Sequence, residues 1–113
     1  MRAFPEAVKR EVAREWFEAA PGKTVDVECR WCATPGRLHW YSTDQVVGRI
    51  QLEGMEWDHH KPVCLGGKST LDNCHIVCKP CNREKAGKHP YEFWRARFPD
   101  LAARYPDVAI RFL

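Results

Sequence analysis

The chain has 113 residues, 44% of them apolar, and a formal net charge of +3. A length below ~150 residues favours one domain with a modest core, and the absence of an apolar run near the ~18 residues of a spanning helix excludes a transmembrane protein. The composition is not that of a disordered tail, and the charge is uneven: residues 78–113 carry eight Lys/Arg against four Asp/Glu, residues 1–57 eight against nine.

Residues 5–20 are expected to form a helix. Pro5 suits a first turn, Val8, Val12, Trp16 and Ala19 fall on one stripe, and Pro21-Gly22 ends it. Its role is structural, packing Trp16 and Phe17 on the cysteine-bearing module, while Arg2, Lys9, Arg10 and Arg14 meet phosphate or remain surface. Residues 24–77 read as short strands and turns. Val25-Asp26-Val27 alternates, Leu38–Tyr41 and Arg49–Leu52 form a strand pair across a polar loop, and Gly66-Gly67 marks a tight turn. A helix with Pro80 in its first turn runs to about Ala86 and is stopped by Gly87 and Pro90. Tyr91–Phe98 and Leu101–Tyr105 are expected as two short helices separated by Pro99, with Tyr91, Phe93, Trp94, Phe98 and Tyr105 read as core residues in preference to base-stacking platforms. The basic excess of this last third fits a polyanionic partner such as nucleic acid, and equally a solvated basic face.

Met1 to Glu6 lacks the apolar stretch of a secretory signal. The six cysteines are therefore read in a reducing, cytoplasmic setting, where CxxC spacings favour metal over disulfides. Cys29-Arg30-Trp31-Cys32 and Cys78-Lys79-Pro80-Cys81 supply two such pairs, a tetrahedral set suited to structural zinc. The alternative, a redox CxxC, lacks its strand-helix context. Because all four positions are sulfur, the site is closed, and it clamps the ends of the segment between them. Cys64 and Cys74 stand outside the pattern and are read as buried or half-buried free thiols, although either could replace a member of the zinc set.

That enclosed segment carries Asp58-His59-His60-Lys61-Pro62, Gly66-Gly67 and Asn73, followed by Cys78-x-x-Cys81-Asn82-x-x-Lys85. Over residues 29–88 this pattern closely resembles the HNH nuclease family. The resemblance implies an α+β fold: a small zinc-braced ββα-metal, treble-clef-like core of about residues 29–88 within a single domain of 1–113, flanked by an N-terminal helix (5–20) and a C-terminal helical segment (90–113). It makes Asp58 and Asn82 ligands of a catalytic metal, His59 the general base, and Asn73 the residue that fixes the loop and orients the imidazole of His59. The motif reads H-N-N, and Ala86 stands where some relatives carry a further histidine. Oxygen ligands suit Mg²⁺ or Mn²⁺ better than zinc. Lys61, Arg83, Lys85 and Lys88, with Lys68, are the candidates for phosphate contacts.

Neighbours on a strand face opposite sides, so Asp58 and His59 meet one phosphate only if the strand is distorted or if the metal and the water lie on different sides of it; a bulge or a sharp hairpin twist is expected here. By the same alternation His60 faces away from His59, and His39, His75 and His89 are read as structural or packing residues. The resemblance implies a DNA endonuclease producing a 5′-phosphate and a 3′-hydroxyl, at work in the cytoplasm of a bacterial host. It further implies a phage or mobile-element context that would bring a packaging or other partner protein, with no membrane. Two alternatives remain: a zinc-stabilised treble-clef module that binds DNA or protein without cleaving, and an HNH nuclease acting on RNA. The oligomeric state is not encoded in any visible pattern.

Overall fold

The computed structural model describes residues 4–42 and 47–105. Helix α1, Glu6–Phe17, begins behind Pro5 and stops where Glu18 turns left-handed (φ 50°) and the amide of Ala19 donates back to Ala13 O at 3.1 Å. It is therefore shorter than the expected 5–20. Val12 and Ala13 are buried, but Trp16 is 55% exposed and lies beneath the guanidinium of Arg30, not inside the core. That corrects its expected packing, while Phe17 does pack against the core.

Strands β1 (Thr24–Glu28), β2 (Pro35–Ser42) and β3 (Val47–Glu53) form an antiparallel sheet in the order β1-β2-β3. The expected pair is present, with Leu38 opposite Leu52 and Tyr41 opposite Arg49. The polar loop between them includes residues 43–46, which lie outside the described residues, as do Arg2 and residues 106–113. A second sheet is the hairpin of β4 (Met55–His59) and β5 (Cys74–Cys78). Leu38, Trp40 and Ile50 of the first sheet and Met55, Ile76 and Val77 of the second share one core with Phe4, Val12 and Ala13, so α1 closes both sheets over a common apolar interior.

Helix α2, Lys79–Lys85, follows β5 directly, with Pro80 in its first turn as expected and the Cys78 sulfur accepting from the amide of Cys81 at 3.5 Å. It completes a ββα unit, β4-β5-α2. Helices α3 (Pro90–Arg97) and α4 (Pro99–Arg104) follow. Phe93 is buried and Tyr91, Trp94 and Phe98 are half-buried, whereas Tyr105 is exposed, contrary to expectation. Among the described residues no helix is long and apolar enough to cross a membrane. The architecture is α+β, as the sequence implies.

Candidate active site

The four cysteines converge. The Sγ atoms of Cys29, Cys32, Cys78 and Cys81 all lie within 4.8 Å of one another, and Cys32 to Cys78 is 3.6 Å. A tetrahedral zinc with ~2.3 Å bonds would separate its sulfurs by about 3.8 Å, so the cage fits such an ion. Backbone geometry prepares the first knuckle: the Trp31 amide donates to Cys29 Sγ at 3.4 Å, and Arg30 N donates to Ile76 O at 2.9 Å, tying it to β5. A hydrogen bond from Thr34 holds the Cys32 thiol down at about 6, while burial pushes Cys78 and Cys81 up. Four crowded sulfurs cannot all ionise alone; a bound cation makes the thiolate set stable. All six cysteines are free of disulfides. Cys74 is buried, its thiol pushed up to about 12, and Cys64 is exposed, which corrects its expected burial.

The loop after β4 is built by Asn73. Its Oδ1 accepts from Lys61 N at 2.7 Å, and its Nδ2 donates to Lys61 O at 3.0 Å and Lys68 O at 2.9 Å. One amide thus closes the turn from both sides. A Cβ on Gly67 would collide with the carbonyl of Lys61, so the loop closes this tightly only with glycine there. The imidazole of His59 is not reached by Asn73. Its Nε2 instead pairs with Ser69 Oγ at 2.9 Å, and its ring stacks on Phe4 at 3.9 Å. The sequence reading missed both residues: Ser69 sits within the loop Asn73 staples, but nothing local marks Phe4 as a neighbour of His59.

Asp58 and His59 are both buried, at 8% and 6% exposed. The ladder runs unbroken through Asp58↔His75 and His59↔Cys74, so the expected bulge is not present. The two side chains accordingly take opposite sides of β4. On one side Lys85 of α2 brings its ammonium to 3.0 Å from Asp58 Oδ2, off the direction of a good hydrogen bond, so the contact is chiefly electrostatic. The same ammonium donates to His59 O at 2.9 Å. On the other side Phe4 covers His59. Burial raises the pKa of Asp58 and Lys85 opposes that rise; burial lowers the pKa of His59, with Asp58 opposing.

Lys85 is fully buried, which corrects its expected role as a phosphate contact. Lys61, Lys68, Arg83 and Lys88 are exposed, and Asn82 is half-buried on α2. His39 is structural, bridging Thr24 Oγ1 at 3.0 Å and Glu53 Oε2 at 3.1 Å. His89 caps α3, its Nδ1 accepting from Tyr91 N at 3.1 Å. His60 turns away from His59 to stack on Trp31.

The HNH endonuclease family profile matches residues 29–88, the stretch that runs from the first cysteine knuckle through the hairpin and α2. No curated protein and no solved structure gives a significant match. With more than half of its length inside that profile, and with the hairpin, helix and cysteine cluster in the corresponding places, the chain belongs to the HNH endonuclease family.

Proposed function

We propose that this protein is a metal-dependent DNA endonuclease, with His59 as general base and a structural zinc in the cysteine cage. The observation that carries the reading is the setting of His59. Burial keeps its imidazole neutral at physiological pH, and Ser69 holds Nε2. With Nε2–H donated to Ser69 Oγ, Nδ1 carries the lone pair that takes a proton from water.

Asp58 and Asn82 would hold the catalytic metal on the α2 side of β4, with His59 and the water it activates on the other side of the strand. The fit rests on the buried Asp58 carboxylate, whose Oδ2 faces the Lys85 ammonium at 3.0 Å, and on the hard oxygen donors that carboxylate and amide provide. Such an ion supplies Lewis-acid stabilisation of the charge that develops on the phosphate and the leaving oxygen. Because Lys85 already offsets the charge of Asp58, a divalent ion is bound weakly and activity depends on added Mg²⁺ or Mn²⁺. Exposed Lys61, Arg83 and Lys88 are the phosphate contacts of the DNA backbone.

The test is incubation of supercoiled plasmid, and in parallel structured RNA, with Mg²⁺, Mn²⁺ or chelator. Relaxed or linear plasmid in metal alone is the expected result. Cleavage of RNA but not plasmid would change the substrate, and intact plasmid bound with undiminished affinity would make the protein a binding module.

A further inference from the structure

A second group of chemistry-bearing side chains lines a cavity of about 390 Å³ between the Cys29–Cys32 knuckle, the β4–β5 hairpin and the α3–α4 pair. Trp31, Trp94 and Phe98 give it aromatic walls; Arg30, His60 and His75 supply polar groups. Trp31 stacks on His60 at 5.8 Å, and the His60 ring lies 4.5 Å from that of His75, so one wall is a continuous aromatic tier. Arg30 is exposed. Nδ1 of His75 is buried without a hydrogen-bond partner among the described residues, a cost that a polar ligand edge would remove. Neutral imidazole offers one N–H and one lone pair.

These features select among ligands. A divalent cation would meet Arg30 as a like charge, and a purely apolar molecule would leave His75 Nδ1 unpaired. A planar heteroaromatic ring carrying a phosphate satisfies all three elements: stacking on the aromatic walls, an edge hydrogen bond to imidazole, and a guanidinium for the phosphate. The volume lies within the range of small-ligand sites.

We propose that this cavity holds one unstacked nucleotide of a nucleic-acid strand, its base between Trp94 and Phe98 with His75 at its edge and its phosphate on Arg30. The site deepens the nuclease reading and rests on it for the identity of the polymer. It opens on the face of the hairpin that carries Asp58, whose cross-strand partner is His75, and opposite the face where Phe4 covers His59, and so anchors the strand beside the hydrolytic residues without supplying one of them.

The experiment measures fluorescence anisotropy of a labelled oligothymidylate without added divalent metal, in wild type and in a His59→Ala background. Arg30→Gln and Trp94→Ala should each weaken binding about tenfold, within the range expected for one stacked base or one phosphate contact, with zinc content and far-UV circular dichroism unchanged. Arg30 is exposed, so its variant remains informative if Trp94→Ala fails to fold. Wild-type affinity in Arg30→Gln overturns the proposal, as does thymidine monophosphate binding as tightly as the oligonucleotide, which would make the ligand a free nucleotide. If wild type never cleaves plasmid but strand binding still depends on Arg30, the nuclease reading fails while the cavity stands. Intact cleavage with undiminished strand binding in the cavity variants sinks the cavity alone.

Discussion

The ammonium of Lys85 lies 3.0 Å from Oδ2 of Asp58 with no exposure to solvent, and it also holds the backbone of His59 through a 2.9 Å bond to its carbonyl. One side chain of α2 therefore fixes both the acid and the main chain of the histidine on β4. Truncating Asp58 to alanine would strand a buried ammonium, so loss of activity in that variant would mix chemistry with unfolding. Asp58→Asn keeps an oxygen beside Lys85 and is the cleaner probe.

Lys85→Met should destabilise the protein by about 3–5 kcal/mol, the usual cost of breaking a buried pair and leaving one charge uncompensated. Combining it with Asp58→Asn removes that charge and should restore most of the loss. Urea unfolding at constant zinc measures both. A single variant costing under ~1 kcal/mol would mean that the pair does not hold α2 to the hairpin.

His59→Ala should slow plasmid cleavage by ~10²–10⁴ while DNA affinity and zinc content stay near wild type, the range expected for loss of a positioned base. Only the neutral ring accepts a proton, and burial holds the pKa below its ordinary 6.5. The rate should therefore be flat near neutrality and fall as pH drops through that lowered value. Removing the Phe4 ring re-exposes the imidazole, so Phe4→Ala should move the midpoint upward, toward 6.5. A profile that Phe4→Ala leaves unmoved would argue that another group titrates.

Zinc should be present at one ion per chain, and Cys29→Ser or Cys81→Ser should give unfolded or insoluble protein. Structural zinc contributes on the order of 10 kcal/mol to small domains, more than a core of this size can replace. Elemental analysis of the purified protein decides the first point. A well-folded Cys29→Ser/Cys81→Ser double variant would sink the second.

What was legible in the sequence is local. The CxxC spacings, Pro80 in a first turn and the Gly66-Gly67 turn are patterns whose physics lies within a few residues, and the cage, α2 and the loop stand where they point. Long-range pairings carry no such signature. Lys85 reads as one more basic residue in a basic helix, and only the approach of α2 to β4 shows that it is interior. Phe4 and His59 are far apart in sequence, so their stacking depends on how α1 docks across both sheets. Trp16 shares a helical stripe with Val12, but in the last turn of the helix it is Phe17 that meets the core, and Trp16 lies outward beneath Arg30.

Acid should weaken the fold through His60 and His75. Burial is the first cause of both depressed values, about 4 and about 3, with Arg30 and Lys85 adding repulsion and each ring facing the other. Above an unfolded pKa of about 6.5 both rings are neutral in either state, and their contribution is fully present. As pH falls below that value the unfolded chain binds protons that the native rings refuse, so stability drops progressively from about 6.5 toward 3–4. Zinc release by thiolate protonation acts in the same direction, and absolute stability cannot separate the two. The slope can: His75→Gln retains the cysteine cage but removes one refused proton, so its unfolding free energy should depend less steeply on pH between 6.5 and 4 than that of wild type. Parallel slopes measured by urea titration at several pH values would assign the acid sensitivity to the zinc cage alone.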